Sequence, residues 1–210
     1  MQYSAALGLD VDMQATMKAR ALLGKQAHKV EHIPSMPYQD VSKFYQWLKP
    51  EPGVVPLALR CLILTVARTT EVRLARFDEI EDDVWTLSGE RTKTGQKHRI
   101  PLTKEALSVL QAAREQSNNE NLFNAVRGKP MSDMAMSLFM KREGYEARPH
   151  GFRASFRTWV EEQTDTPFEV KESALGHAVD AGVVGAYQRS DRLEKRRVLG
   201  SRLIRATRLR

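Results

Sequence analysis

A mainly α-helical domain carrying one small antiparallel β-sheet (α+β) is the architecture this chain predicts. Three observations lead to it. Apolar residues recur at helical spacing in several separate stretches. One pair of short β-type runs brackets a Lys-Thr-Gly turn. The hydrophobic (41%) and charged (28%) fractions of the 210 residues are those of an ordinary globular chain, long enough for one full domain and an appendage.

The elements follow in order. Val11 to Leu23 reads as a short amphipathic helix, and residues 24–36, which carry Lys, His and Pro without an apolar period, read as a linker. From Tyr38 to Leu48, the residues Val41, Phe44, Tyr45 and Leu48 share one helical face. The run from Leu57 to Val66 is almost wholly apolar and predicts a helix at the centre of the core. Val84 to Leu87 and His98 to Ile100 predict strands, with Lys93-Thr94-Gly95-Gln96 as the turn between them. Thr103 opens a helix with Ala106, Leu107 and Leu110 on one face, and Ser132 or Asp133 is placed to cap another that runs toward Arg142. Pro149 breaks the chain before a helix that buries Phe152, Phe156 and Trp159. Helical segments continue to the C-terminus, where Val198, Leu199, Leu203 and Ile204 predict an apolar stripe among arginines. No internal repeat interrupts this order.

Thirty-three Lys and Arg against 26 Asp and Glu give a formal charge of +7, which suits a polyanion such as DNA, with an acidic membrane surface as the rival partner. Cys61, the only cysteine, excludes an intrachain disulfide and reads as a small buried hydrophobe. No Cys/His cluster has zinc spacing, and no window holds the roughly 18 consecutive apolar residues of a membrane span. The first residues do not form a signal peptide, so the expected compartment is a bacterial cytoplasm, in company with the nucleoid.

Local signatures stand along the chain in one order: Ala67-Arg68-Thr69-Thr70-Glu71, Lys93-Thr94-Gly95, His150-Gly151-Phe152-Arg153, Leu175-Gly176-His177, and Tyr187 ten residues further on. The residue types suit phosphodiester exchange. Its transition state gathers charge on the non-bridging oxygens, and arginine is permanently charged, planar and able to bind two oxygens at once. Arg68 and Arg153 are the candidates. His150 and Arg153, three apart at a helix start, share a face. A tyrosine hydroxyl with a pKa of about 10 needs cations and a histidine beside it to attack at neutral pH. Of the five tyrosines, Tyr187 alone follows a Leu-Gly-His motif, in a run containing Gly182, Gly185 and Ala186.

This set resembles the catalytic domain of the tyrosine recombinases, the phage and genomic-island integrases, from roughly Pro37 to the C-terminus. The resemblance implies the DNA breaking-rejoining fold and site-specific recombination for integration or excision of a mobile element. It implies Tyr187 as nucleophile, a 3′-phosphotyrosyl intermediate and a free 5′-hydroxyl, with Arg68 and Arg153 on the phosphate and His150 assisting proton movement. The family's proton donor sits in a hairpin before a Pro-Leu motif; here Pro101-Leu102 follows the second strand, and Lys93 matches, with Lys97 as the alternative. His177 is a phosphate ligand or a structural helix cap. Glu71 orients its neighbours or is a plain surface acid, and Arg157 is a solvated or phosphate-contacting charge. Thr70 stands where the family usually has Gly, which predicts a small backbone change. No cofactor and no metal enter the scheme.

The expected partners are double-stranded attachment-site DNA, a homo-tetramer on that DNA and DNA-bending accessory proteins, with no membrane. Residues 1–35 read as the last helix of a core-binding domain with its linker, and 36–210 as the catalytic domain with a helical tail that docks on a neighbouring protomer. The chain is then expected to be a fragment that binds DNA weakly and salt-sensitively. Type IB topoisomerase-like activity and a non-catalytic DNA-binding module are the competing readings.

Overall fold

The structure, a computed structural model, describes residues 14–23, 33–125, 128–177 and 191–208. The chain divides into two units, Met1–His32 and Ile33–Arg210. The described part of the first is one helix, α1 (Ala15–Leu23), with Met17, Leu22 and Leu23 exposed. The start of the helix expected from Val11, and residues 24–32 of the linker, lie outside the described residues.

The second unit is built around α3 (Val54–Thr65), whose residues Leu57, Ala58, Leu59, Cys61, Leu62, Ile63 and Leu64 are all buried. So apolar a helix has almost no face to give to water, and only Val54, Val55 and Arg60 are part exposed. Around it pack α2 (Tyr38–Leu48), α5 (Lys104–Gln116), α6 (Ala135–Arg142), α7 (Phe152–Gln163) and α9 (Leu193–Arg208). Burial pushes the Cys61 thiol up to about 12, as befits a core hydrophobe. On α2 the expected face is the buried one: Val41, Phe44, Tyr45 and Leu48. Phe44 stacks on Phe152 of α7 at 5.4 Å between ring centroids and meets the edge of Tyr145 at 4.7 Å, which locks α2 to the start of α7.

Between α3 and α5 run the short helix α4 (Thr69–Arg73) and a three-stranded antiparallel sheet, β1 (Ile80–Glu81), β2 (Val84–Leu87) and β3 (His98–Pro101), in the order β1-β2-β3. Trp85 pairs with Ile100 and Leu87 with His98, so one face of the sheet enters the core. The loop carrying Lys93 is tightly closed. Thr92 Oγ1 donates to Gln96 O at 2.8 Å, Gly95 takes the left-handed φ of 70°, and a Cβ on Gly89 would stand 2.4 Å from Gly95 O. Arg91 ties this loop to α4 by donating to Leu74 O at 2.6 Å and Glu71 O at 3.1 Å.

Thr103 caps α5 as expected, its hydroxyl accepting from Ala106 N at 3.3 Å. Helix α6 departs from expectation. It starts from Met134, already helical at φ −89°, and neither Ser132 nor Asp133 supplies a side-chain cap; a backbone bond from Ala135 N to Ser132 O at 3.2 Å opens the turn instead. A single 3₁₀ turn, Pro149–Gly151, leads into α7, which buries Phe152, Phe156 and Trp159. Residues 33–36 lie close against this turn, so a Cβ on Gly151 would come within 2.5 Å of Pro34 O.

The tail also corrects the sequence reading. On α9, Leu193, Leu199, Leu203 and Ile204 are buried, whereas Val198 is 57% exposed. Within the chain this stripe packs on α2, α3 and β3 and on α8 (Phe168–Ala174). Ser42 and Gln46 of α2 both donate to Thr207 O, at 3.3 and 2.7 Å, which anchors the end of α9. Among the described residues no helix is long and apolar enough to cross a membrane.

Candidate active site

The site grows from the junction of α3 and α4. Val66 ends α3 with φ 56°, a left-handed conformation that a β-branched residue adopts only under strain, at a cost of about 1–3 kcal/mol. The sharp turn brings Arg68 to the start of α4. Glu71, only 2% exposed, holds it twice: the Arg68 backbone N–H donates to Oε2 at 2.6 Å and the guanidinium Nη1 to Oε1 at 2.9 Å. Glu71 is thus an orienting acid, not a surface one. Thr70 lies inside α4 and is not among the positive-φ positions, so no glycine is required there.

Helix α8 closes in a Schellman turn. Gly176 has φ 60°, its N–H donates to Ser173 O at 3.1 Å, and the His177 N–H donates to Glu172 O at 3.0 Å. The His177 backbone closes the helix, as the cap reading expects, while its ring contacts Arg153. The turn's carbonyls are then gripped in sequence. Arg153 Nη2 donates to Leu175 O at 2.5 Å, and Arg68 Nη2 donates to Gly176 O at 2.9 Å. Arg153, 7% exposed, also donates to Val66 O at 2.6 Å through Nη1. Burial, and then the Arg68 charge, push its guanidinium down to about 10, which still leaves it charged at neutral pH.

His177 Nε2 lies 3.2 Å from Arg153 Nη2, and its Nδ1 lies 2.8 Å from Glu172 Oε2. A guanidinium can only donate, so Nε2 accepts and Nδ1 carries the proton given to Glu172. The other Glu172 oxygen accepts from Arg157 Nη1. Arg157, expected as a solvated or phosphate-contacting charge, is therefore a partner of the carboxylate behind His177.

His150 is exposed in the 3₁₀ turn before α7. Partial loss of water, and then the charges of Arg153, Arg68, Lys93 and His177, lower its proton affinity. Lys93 is exposed in the hairpin loop and contributes to that same field. The structure therefore ties Arg68 and Arg153 to one helix end, bonds Arg153 directly to His177, and brings His150 and Lys93 into electrostatic reach. Tyr187 lies outside the described residues.

Two residues beside the site went unnoticed in the sequence. His98 begins β3, and its Nε2 and Arg68 Nη1 lie 3.2 and 3.3 Å from the point where a Gly176 Cβ would stand. Burial, then the Arg196 charge, with Arg68 and Arg153 adding and Glu71 opposing, push His98 down to about 4, so it stays neutral amid three arginines. Arg196 of α9 is buried and donates to Arg99 O at 2.6 Å. Isolated His and Arg residues carry no local signal of this kind; only the packing of β3 on α9 creates it.

The helical domain with its three-stranded sheet and arginine-histidine cluster has the fold of the lambda integrase catalytic core. The catalytic-core structure itself aligns with a TM-score of 0.54 at 22% identity, over 69% of this chain and 91% of that one. A lambda integrase dimer bound to a COC′ core site aligns with a TM-score of 0.59 at 21% identity, over 85% and 70%. Residues 35–194 match the Phage integrase family, and the chain belongs to that family. It is 31% identical over 195 residues to prophage integrase IntZ of Escherichia coli K12, covering 90% of this chain and 46% of that protein. The integrase of Enterobacteria phage P4 is 26% identical over 81% of this chain and 44% of its own length. The chain thus spans about half the length of these curated relatives.

Proposed function

We propose that this chain carries the catalytic steps of site-specific DNA recombination, the integration or excision of a mobile element. The observation behind this reading is that two guanidiniums from distant parts of a phage-integrase-family chain, Arg68 and Arg153, are fixed on adjacent carbonyls of the helix end that bears His177. Such preorganised donors stabilise charge developing on a phosphoryl group without reorganising during the reaction. Arg68, Arg153 and His177 bind the non-bridging oxygens. Tyr187 attacks phosphorus, with His150 assisting removal of the hydroxyl proton. The bond to the 5′-oxygen breaks as Lys93 gives that oxygen a proton, which leaves a 3′-phosphotyrosyl link and a free 5′-hydroxyl. Rejoining is the reverse attack by a 5′-hydroxyl of another strand, and the covalent link conserves the energy of the broken bond.

Residues 36–210 are the catalytic domain, and residues 1–35 are the helix and linker that lead into it. The partner is duplex attachment-site DNA, on which the chain assembles as a homo-tetramer with DNA-bending accessory proteins, in the bacterial cytoplasm at the nucleoid. A lambda integrase tetramer bound to a Holliday junction is among the structural neighbours and supports this assembly.

The test is covalent trapping. The chain is mixed with nicked duplexes from the ends of the element that carries its gene, and an SDS-resistant adduct is sought. The expected result is an adduct that disappears in Tyr187→Phe. An adduct that survives that substitution sinks the assignment of the nucleophile, and binding without any adduct would leave a non-catalytic DNA-binding module.

A further inference from the structure

The Glu172 carboxylate has no part in the scheme above, yet it is one of the most constrained acids of the site. It is 8% exposed. Its two oxygens are divided between Arg157 Nη1 and His177 Nδ1, while its own backbone carbonyl accepts the His177 N–H at 3.0 Å. Beyond the ring stands Arg153 at 3.2 Å. The described charged groups facing His177 are therefore Glu172 on α8 with Arg157 behind it, Arg153 on α7, and His150 in the preceding turn.

A carboxylate on Nδ1 fixes both the orientation and the tautomer of an imidazole. With the proton held on Nδ1, Nε2 presents a lone pair. That suits Arg153, which can only donate, but it does not suit a phosphate oxygen, which can only accept. An arriving phosphodiester competes for Arg153 and confronts Nε2 with a second lone pair. One change resolves the conflict: a proton from solvent forms an N–H bond at Nε2. No other covalent bond changes, and the added positive charge lies between the Glu172 carboxylate and the phosphate.

We propose that Glu172 is a positioning residue that holds His177 as an acceptor toward Arg153 in the free protein and lets it become a donor, by uptake of one proton at Nε2, when a phosphodiester binds. The second half rests on the reading of this site as one for DNA phosphates; the first half does not.

The experiment is ring-nitrogen NMR of the ¹⁵N-labelled full chain. His177→Gln identifies the His177 signals among the five histidines. In the free parent the expected pattern is the Nδ1-protonated tautomer, and Glu172→Gln, which keeps the side-chain shape, is expected to lose that preference. On saturation with a mixed-sequence duplex at low ionic strength, the parent ring is expected to become doubly protonated and the Glu172→Gln ring to stay neutral. A parent ring protonated on Nε2 alone in the free protein overturns the proposal, as does a ring that stays neutral in the saturated complex. Identical behaviour of parent and Glu172→Gln removes Glu172 from the role. Should that variant fail to fold, the two parent spectra still test the tautomer and its change on binding, and Glu172→Ala, with the same readout, takes over the test of the carboxylate. The duplex need not be a recombination site, so a chain that traps no covalent adduct yet shows the ring response separates failure of the recombinase reading from failure of this one.

Discussion

Arg68 and Arg153 grip consecutive carbonyl oxygens of one helix end, Gly176 at 2.9 Å and Leu175 at 2.5 Å. Residues 85 positions apart in sequence are thereby set as one unit by the backbone of a third segment. The consequence is that Arg153 supports both the fold and the proposed chemistry. Arg153→Ala leaves the buried carbonyls of Val66 and Leu175 without this partner, at about 1–3 kcal/mol each, and removes a proposed phosphate ligand worth about 10²–10³ in rate. Arg153→Lys is expected to recover part of the stability and little of the rate, because an ammonium cannot replace the planar fork. Urea unfolding and adduct formation on the same two variants check this; equal recovery of both would contradict it.

Gly176 is where the cluster is most tightly fitted. An alanine there must hold φ near 60° at about 1–2 kcal/mol. Its Cβ would also stand 3.3 Å from Arg68 Nη1 and 3.2 Å from His98 Nε2. The expected outcome of Gly176→Ala is a modest drop in thermal midpoint together with a loss of DNA cleavage well beyond it, since the displaced atom belongs to the proposed phosphate clamp. Cleavage that falls only in proportion to the folded fraction would show that Arg68 adjusts freely.

Much of this architecture was legible in the sequence, and the exceptions have physical causes. Periodicity found the buried face of α2 and the core helix α3, because burial of an apolar side chain, about 1.5–3 kcal/mol each, dominates local choices. It overreached at Val198, which belongs to the apolar spacing yet faces outward. The start of α6 was missed because a backbone turn there does what a Ser or Asp cap does elsewhere. In the candidate site, the local motifs pointed to Arg68, Lys93, His150, Arg153 and His177, which the structure brings near one another. His98 and Glu172 were not, since what distinguishes them is the company that tertiary packing gives them: three arginines around one, and a histidine with an arginine around the other. Tyr187, expected from its spacing after the Leu-Gly-His motif, lies outside the described residues.

His98 gives a pH prediction. Its folded pKa of about 4 lies below the ordinary histidine value of about 6.5, so the unfolded chain binds the proton more readily. Its contribution to stability is complete above about pH 6.5 and is lost as pH falls toward 4, on the order of 3 kcal/mol in all. His98→Gln, which cannot be protonated, is expected to flatten stability between pH 6.5 and 4 relative to the parent. Urea midpoints across that range decide the point; parallel curves for the two proteins would mean that His98 is not the group responsible.

Lys93 is separable from the arginines by leaving-group chemistry. It is exposed in a loop whose closure depends on Thr92, Gly89 and Gly95 rather than on its own side chain, so Lys93→Ala is expected to leave stability unchanged within about 0.5 kcal/mol. If it protonates the 5′-oxygen, its loss slows cleavage by about 10²–10⁴, the usual range for a positioned general acid. A substrate with sulfur in place of that bridging oxygen departs as a thiolate without needing a proton. On it the Lys93→Ala variant is expected to cleave at nearly the parent rate, whereas Arg153→Ala stays slow because charge still gathers on the non-bridging oxygens. Lys97→Ala, two residues past the Gly95 turn, is expected to behave as the parent on both substrates. Rescue of Lys97→Ala instead of Lys93→Ala by sulfur would transfer the proton-donor role to Lys97, and rescue of neither would mean that the donor lies outside this hairpin.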